Sequence, residues 1–148
     1  ETKSLNQNFE VLEGKDKKEF LKGAEIAYET ILTSFAKGDT NQLKNLLTSN
    51  MTNNFSSAIE ARNKENIKSE FTFIGVKESS VISYQKISDN LFATVKFIAE
   101  VISVKKNKDN KIIEGNPDKI KFVTDSWKFT RNIKQKDPNW YLSEIISK

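Results

Sequence analysis

Asp125 is the charged side chain best placed to do chemistry, and Arg131 shares its face of one strand. They alternate with Val123, Trp127, Phe129 and Ile133 along a run whose period of two marks one face of a strand. Charge on an apolar face is costly unless it is paired. Six strand residues hold the two about 20 Å apart, so they cannot pair with each other. One expectation makes Asp125 a general base beside an apolar pocket, since a carboxylate shielded from water can take a proton from a bound substrate. The other gives it a structural partner, a Lys, an Arg or backbone amides on a helix. The base reading lacks an electrophilic helper: the 148 residues contain no His and no Cys. Their absence removes Ser-His and Cys-His nucleophile systems, thiol chemistry and the usual zinc ligands. Asp109, Asn110 and Glu114 lack the spacing of a calcium-binding loop, so no metal or other cofactor is assigned. A non-enzymatic protein is expected.

Aromatic residues suggest binding more than catalysis. Tyr28, Phe35, Phe55, Trp127, Phe129 and Trp140 either line an apolar pocket, with Asp125 beside them, or form the core. Lysines supply the second kind of chemistry. Leu5, Phe9 and Leu12 fall at spacings of four and three, next to Lys15, Lys17 and Lys18. Such a segment can lie on an anionic membrane, its apolar row among acyl chains and its lysines among head groups. It can equally be a loose terminus or a strap across the domain. Lys105, Lys106, Lys108, Lys111 and Lys119 crowd a polar stretch that reads as a solvated hairpin tip, or as a second electrostatic contact to lipid or to a partner. The net charge of +4 suits an anionic partner. Nucleic acid is not expected, because exposed aromatics are not interleaved with the basic residues.

The elements that must position these residues follow from periodicity. After the lead-in, residues 1–15, Asp16 and Glu19 predict a capping box. Phe20, Ala24, Ala27, Ile31 and Phe35 then keep helical spacing up to Gly38, a C-cap. Asp39 predicts the cap of a short helix with Leu43, Leu46 and Leu47, and a third helix runs from about Met51 to Arg62. The period then changes to two. Strands are predicted over 70–76, 80–88, 91–105, 120–134 and 139–147, with a loop over 105–119 broken at Gly115-Asn116-Pro117. Helices first and then strands is an α+β order, one domain over residues 16–148. No apolar run approaches the ~20 residues of a membrane span. Starting at Glu1, without an initiator Met or signal peptide, the chain reads as a fragment or processed form whose targeting or anchoring segment lies outside it.

Gly23-Ala24, Ala27-Tyr28-Glu29, Phe35-Ala36 and Gly38-Asp39 resemble the opening helix of one family. It is the domain family of the mitochondrial translocase of the inner membrane, subunit 44, with its bacterial relatives and a related ribosomal protein. The likeness continues through Leu46-Leu47, Phe55, Ala58-Ile59 and Arg62. It is most specific at Asp125-x-Trp127-x-Phe129-x-Arg131 followed by Pro138-Asn139-Trp140. The resemblance implies a cone like that of the nuclear-transport-factor and cystatin-like folds, with helices on one curved antiparallel sheet of four or five strands. It also implies a tether or adaptor peripheral to the inner membrane, bacterial or on the mitochondrial matrix side. Such a domain binds anionic, cardiolipin-like lipid and a protein partner of the translocation or envelope machinery. The abundance of Asn, Lys and Ile points to a bacterial relative. The alternative is a small-ligand or isomerase-like domain using a pocket around Trp127 and Asp125.

Overall fold

Helix α1 (Gly14–Lys37) is the longest helix of the computed structural model, which describes residues 11–147. It starts two residues before the expected cap. Glu13 is the N-cap and makes no side-chain capping bond, so Asp16 and Glu19 form no capping box. Asp16 instead lies in the first turn, where a carboxylate faces the positive end of the helix dipole. The other end follows the sequence closely. Gly38 takes a left-handed φ of 74°, which frees the Asp39 amide to reach Ser34 O at 2.9 Å. Asp39 Oδ1 then accepts from Gln42 N at 3.1 Å and starts α2 (Thr40–Leu43). Thr48 caps α3 (Ser49–Lys64) through Met51 N, which moves that helix two residues earlier than expected.

The sheet has five strands. β1 (Lys68–Ile87) turns through Ser88 and Asp89 into β2 (Asn90–Lys106), then follow β3 (Ile112–Gly115), β4 (Lys121–Asn132) and β5 (Tyr141–Ser147). The order is β1-β2-β4-β5, antiparallel throughout, and β3 pairs the far end of β2 at Val104–Lys106. Two expectations need correcting. The predicted strands 70–76 and 80–88 are one strand: Lys77-Glu78-Ser79 is a polar run at a bulge, and the ladder also shifts at Phe73/Gly75 and Val81/Ser83. The predicted loop 105–119 contains β3, because Asn107 Oδ1 accepts from the Asp109 and Lys111 amides and folds the chain back as a hairpin.

Alternation decides which face is buried. Leu91, Ala93, Val95, Phe97, Ala99 and Val101 of β2 are all buried, as their period of two predicts. Ala24, Tyr28 and Ile31 of α1 join this face in the core with Trp127 and Phe129 of β4. The Tyr28 ring stacks on Phe97 with centroids 4.2 Å apart, and Trp127 meets it edge-on at 4.6 Å. The segment between α2 and α3 is pinned to the last strand: Leu142 N donates to Leu46 O at 2.9 Å, and Thr48 N to Leu142 O at 3.0 Å. The result is the α+β fold expected, helices on one side of a curved, open antiparallel sheet.

Candidate functional site

Small residues on α1 create the site. Gly23, Ala24 and Ala27 face the sheet where bulkier Tyr28 and Ile31 close it one turn further on. The space left is a cleft of about 660 Å³ between the first half of α1, the start of β2, the end of β4 and the Pro138–Trp140 segment. Phe20, Leu91, Phe129 and Trp140 form its apolar walls. The Phe20 ring meets Trp140 edge-on at 4.9 Å and Phe129 at 6.5 Å. Asp16, Glu19, Arg131 and Tyr84 bring polar groups to the lining, and Leu12 closes one side. Lys15, Lys17 and Lys18 are exposed on the adjoining turn of α1.

The expected pocket residues divide into three groups. Phe129 and Trp140 line the cleft. Tyr28 is 0% exposed and Trp127 2%, and both are packed in the core. The Tyr28 hydroxyl donates to the Asp125 carboxylate, joining α1 to β4. Burial first, then that hydrogen bond and the carboxylate's charge, push the Tyr28 phenol above its ordinary pKa. The partner that Asp125 needs on its apolar face is thus a helix side chain, a tyrosine hydroxyl rather than a cation or an amide. Phe35 and Phe55 meet edge-on at 5.2 Å near the C-terminal end of α1. There the Arg62 guanidinium sits 5.2 Å over the Phe35 ring and donates from Nη2 to Phe35 O at 2.9 Å. Burial holds Arg62 below its ordinary pKa.

Of the expected membrane contacts, Leu5 and Phe9 lie outside the described residues, and Leu12 is half-buried in the cleft wall. Phe20, Leu91, Tyr84 and Arg131 were not expected at a pocket. The signal for Phe20 was the Gly23-Ala24-Ala27 row one turn later, which leaves its ring without a large neighbour on α1. Among the described residues no group of Asp and Glu side chains is arranged to hold a metal, and no helix is long and apolar enough to cross a membrane. The cleft can receive an apolar group against Phe20, Leu91, Phe129 and Trp140.

Helices on one face of a curved antiparallel sheet, with an apolar cleft at one end, define a domain of α+β class. The chain belongs to the Tim44-like domain family, whose model matches residues 3–147. Domains of this family are associated with protein translocation machinery and peripheral to the inner membrane. Among solved structures, the intermembrane space region of the chloroplast protein ARC6 has a similar fold. It is 12% identical, with a TM-score of 0.51, over 84% of this chain and 97% of that one. No curated protein sequence matches the chain.

Proposed function

We propose that this domain is a non-enzymatic adaptor of the translocation machinery that rests on an anionic, cardiolipin-like membrane and holds an apolar segment of a partner protein in its cleft. The observation that carries the reading is the position of the cleft, which opens beside the exposed Lys15, Lys17 and Lys18 and has Leu12 in its wall. The lead-in that ends there bears Leu5 and Phe9 at helical spacing, so membrane contact and partner capture converge on one end of α1. The membrane is the inner one, bacterial or on the mitochondrial matrix side. Asp125 is bonded to Tyr28 and does not line the cleft, which favours the adaptor over an isomerase-like enzyme.

Co-sedimentation with vesicles tests the proposal. The protein is expected to pellet with cardiolipin-containing vesicles and not with neutral ones, and to be released as salt shortens the range of the charges. Reversing Lys15, Lys17 and Lys18 to Glu removes up to about 3 kcal/mol of lipid attraction and adds repulsion, so affinity drops by about a hundredfold or more. Equal binding to neutral and anionic vesicles, or none to either, would sink the membrane half of the proposal. Loss of a bound apolar peptide on filling the cleft with Ala27→Phe, with folding intact, tests the other half.

A further inference from the structure

The described surface bears a second place where apolar side chains and lysines alternate, far from the cleft. Ile112 and Ile113 of β3 are 47% and 51% exposed, Ile120 before β4 is 53% exposed and Phe122 within it 58%. Lys111, Lys119 and Lys121 stand between them and are exposed. Phe122 lies on the sheet face away from the helices, since its neighbour Val123 pairs with the buried Ala99, and Lys77 Nζ lies 5.3 Å over its ring. From Lys105 to Lys121 the chain has six lysines against three carboxylates. Of these, Glu114 is already paired with Lys105 at 3.7 Å. β3 is tied to β2 at Val104–Lys106, thirteen strand steps from Leu91 in the cleft wall, up to about 43 Å along a straight strand.

We propose that this arm, β3 with the segment leading into β4, is a separate docking surface for an anionic bilayer. It rests on the adaptor reading for the kind of membrane and on different residues for the contact. Charge favours the bilayer, because lysines outnumber carboxylates two to one along the arm and their flexible stems can reach head groups while the isoleucines enter the acyl layer. Size favours it as well. Four half-exposed side chains of ~150–200 Å² offer roughly 300–400 Å², short of the roughly 450–500 Å² of apolar area that each partner of a stable protein complex buries. A bilayer is fluid and needs no shaped groove; single side chains spaced along a narrow arm suit it.

The chain lacks cysteine, so one introduced thiol labels a single position. The test attaches an environment-sensitive nitrobenzoxadiazole dye at Ile113→Cys, and as a control at Ser57→Cys on the exposed side of α3. The full chain is then mixed with vesicles containing or lacking cardiolipin. The dye at position 113 is expected to brighten and shift to the blue on anionic vesicles only, and the dye at 57 to stay unchanged. Reversal of Lys15, Lys17 and Lys18 should leave the shift in place on the fraction still bound. Unlabelled Ile113→Asp with Phe122→Asp should lose more than about tenfold in vesicle affinity while its unfolding midpoint is retained. Protein that pellets while the dye at 113 remains in water overturns the arm and leaves the adaptor reading standing. Protein that fails to pellet overturns both.

Discussion

Replacing Tyr28 with Phe should change stability in a way that depends on pH with a calculable slope. The hydroxyl is fully buried and donates to the Asp125 carboxylate. Losing a hydrogen bond to a charged acceptor costs about 2 kcal/mol, so at pH 8 the variant should be less stable by about that amount. The native environment raises the phenol pKa, whereas in the unfolded chain it stays at the ordinary value of about 10. The folded protein therefore keeps its proton when the unfolded chain gives it up. This contribution is fully present below pH ~10 and is lost as pH rises above it, by about 1.4 kcal/mol per pH unit. Phe has no such proton. The difference between the two proteins should shrink to about 0.6 kcal/mol at pH 11 and vanish near pH 11.5. Every other group is common to the two proteins and cancels in the comparison. Urea unfolding followed by the fluorescence of Trp127 and Trp140, at half-unit steps from pH 8 to 11.5, measures it. A gap that stays constant over this range would refute the buried Tyr28–Asp125 pairing.

Two more expectations can be checked on the same material. Arg62→Ala removes the guanidinium that bonds Phe35 O and covers its ring, and should cost about 1–2 kcal/mol in urea unfolding; Arg62→Lys, which lacks the planar fork, should recover less than half of it. Gly115 has a φ of 87°, and a Cβ there would lie 2.0 Å from Ser103 O, so Gly115→Ala should release β3 from β2. Faster amide exchange at Val104 and Lys106 with unchanged protection along Val95–Ala99 would show it, at a cost of about 1–3 kcal/mol.

Local chemistry made much of the fold legible. The αL cap at Gly38, the Asp39 cap and the buried row from Leu91 to Val101 depend on neighbours in sequence or on a strict period, and each formed as read. β1 was misread because bulges shift the alternation at three points, so a period-two pattern fragments although the hydrogen-bonded ladder continues. β3 was missed because its four residues depend on pairing with β2 and on the Asn107 turn. The candidate site was half legible. The aromatic residues pack into or against the core, but a sequence does not show which of them meet. The cleft lies at the Gly23-Ala24-Ala27 end of α1, and the filled core where Tyr28 reaches Phe97 and Trp127. The partner of Asp125, Tyr28, is set by the packing of α1 on β4, which no spacing within either element shows.

The bulges of β1 also guard the molecule's open side. Among the described residues β1 pairs with β2 alone, which leaves twenty residues of strand with one edge bare. A bare edge of that length is a template on which a second chain can crystallise into cross-β fibrils. Here the ladder never runs more than six residues before the backbone steps out of register, and that longest run, Lys68–Phe73, carries a lysine and a glutamate. An incoming strand would lose alignment within about three hydrogen-bonded residue pairs of any starting point. The irregularity that hid this strand from its sequence pattern thus also makes its long edge a poor template for a second chain.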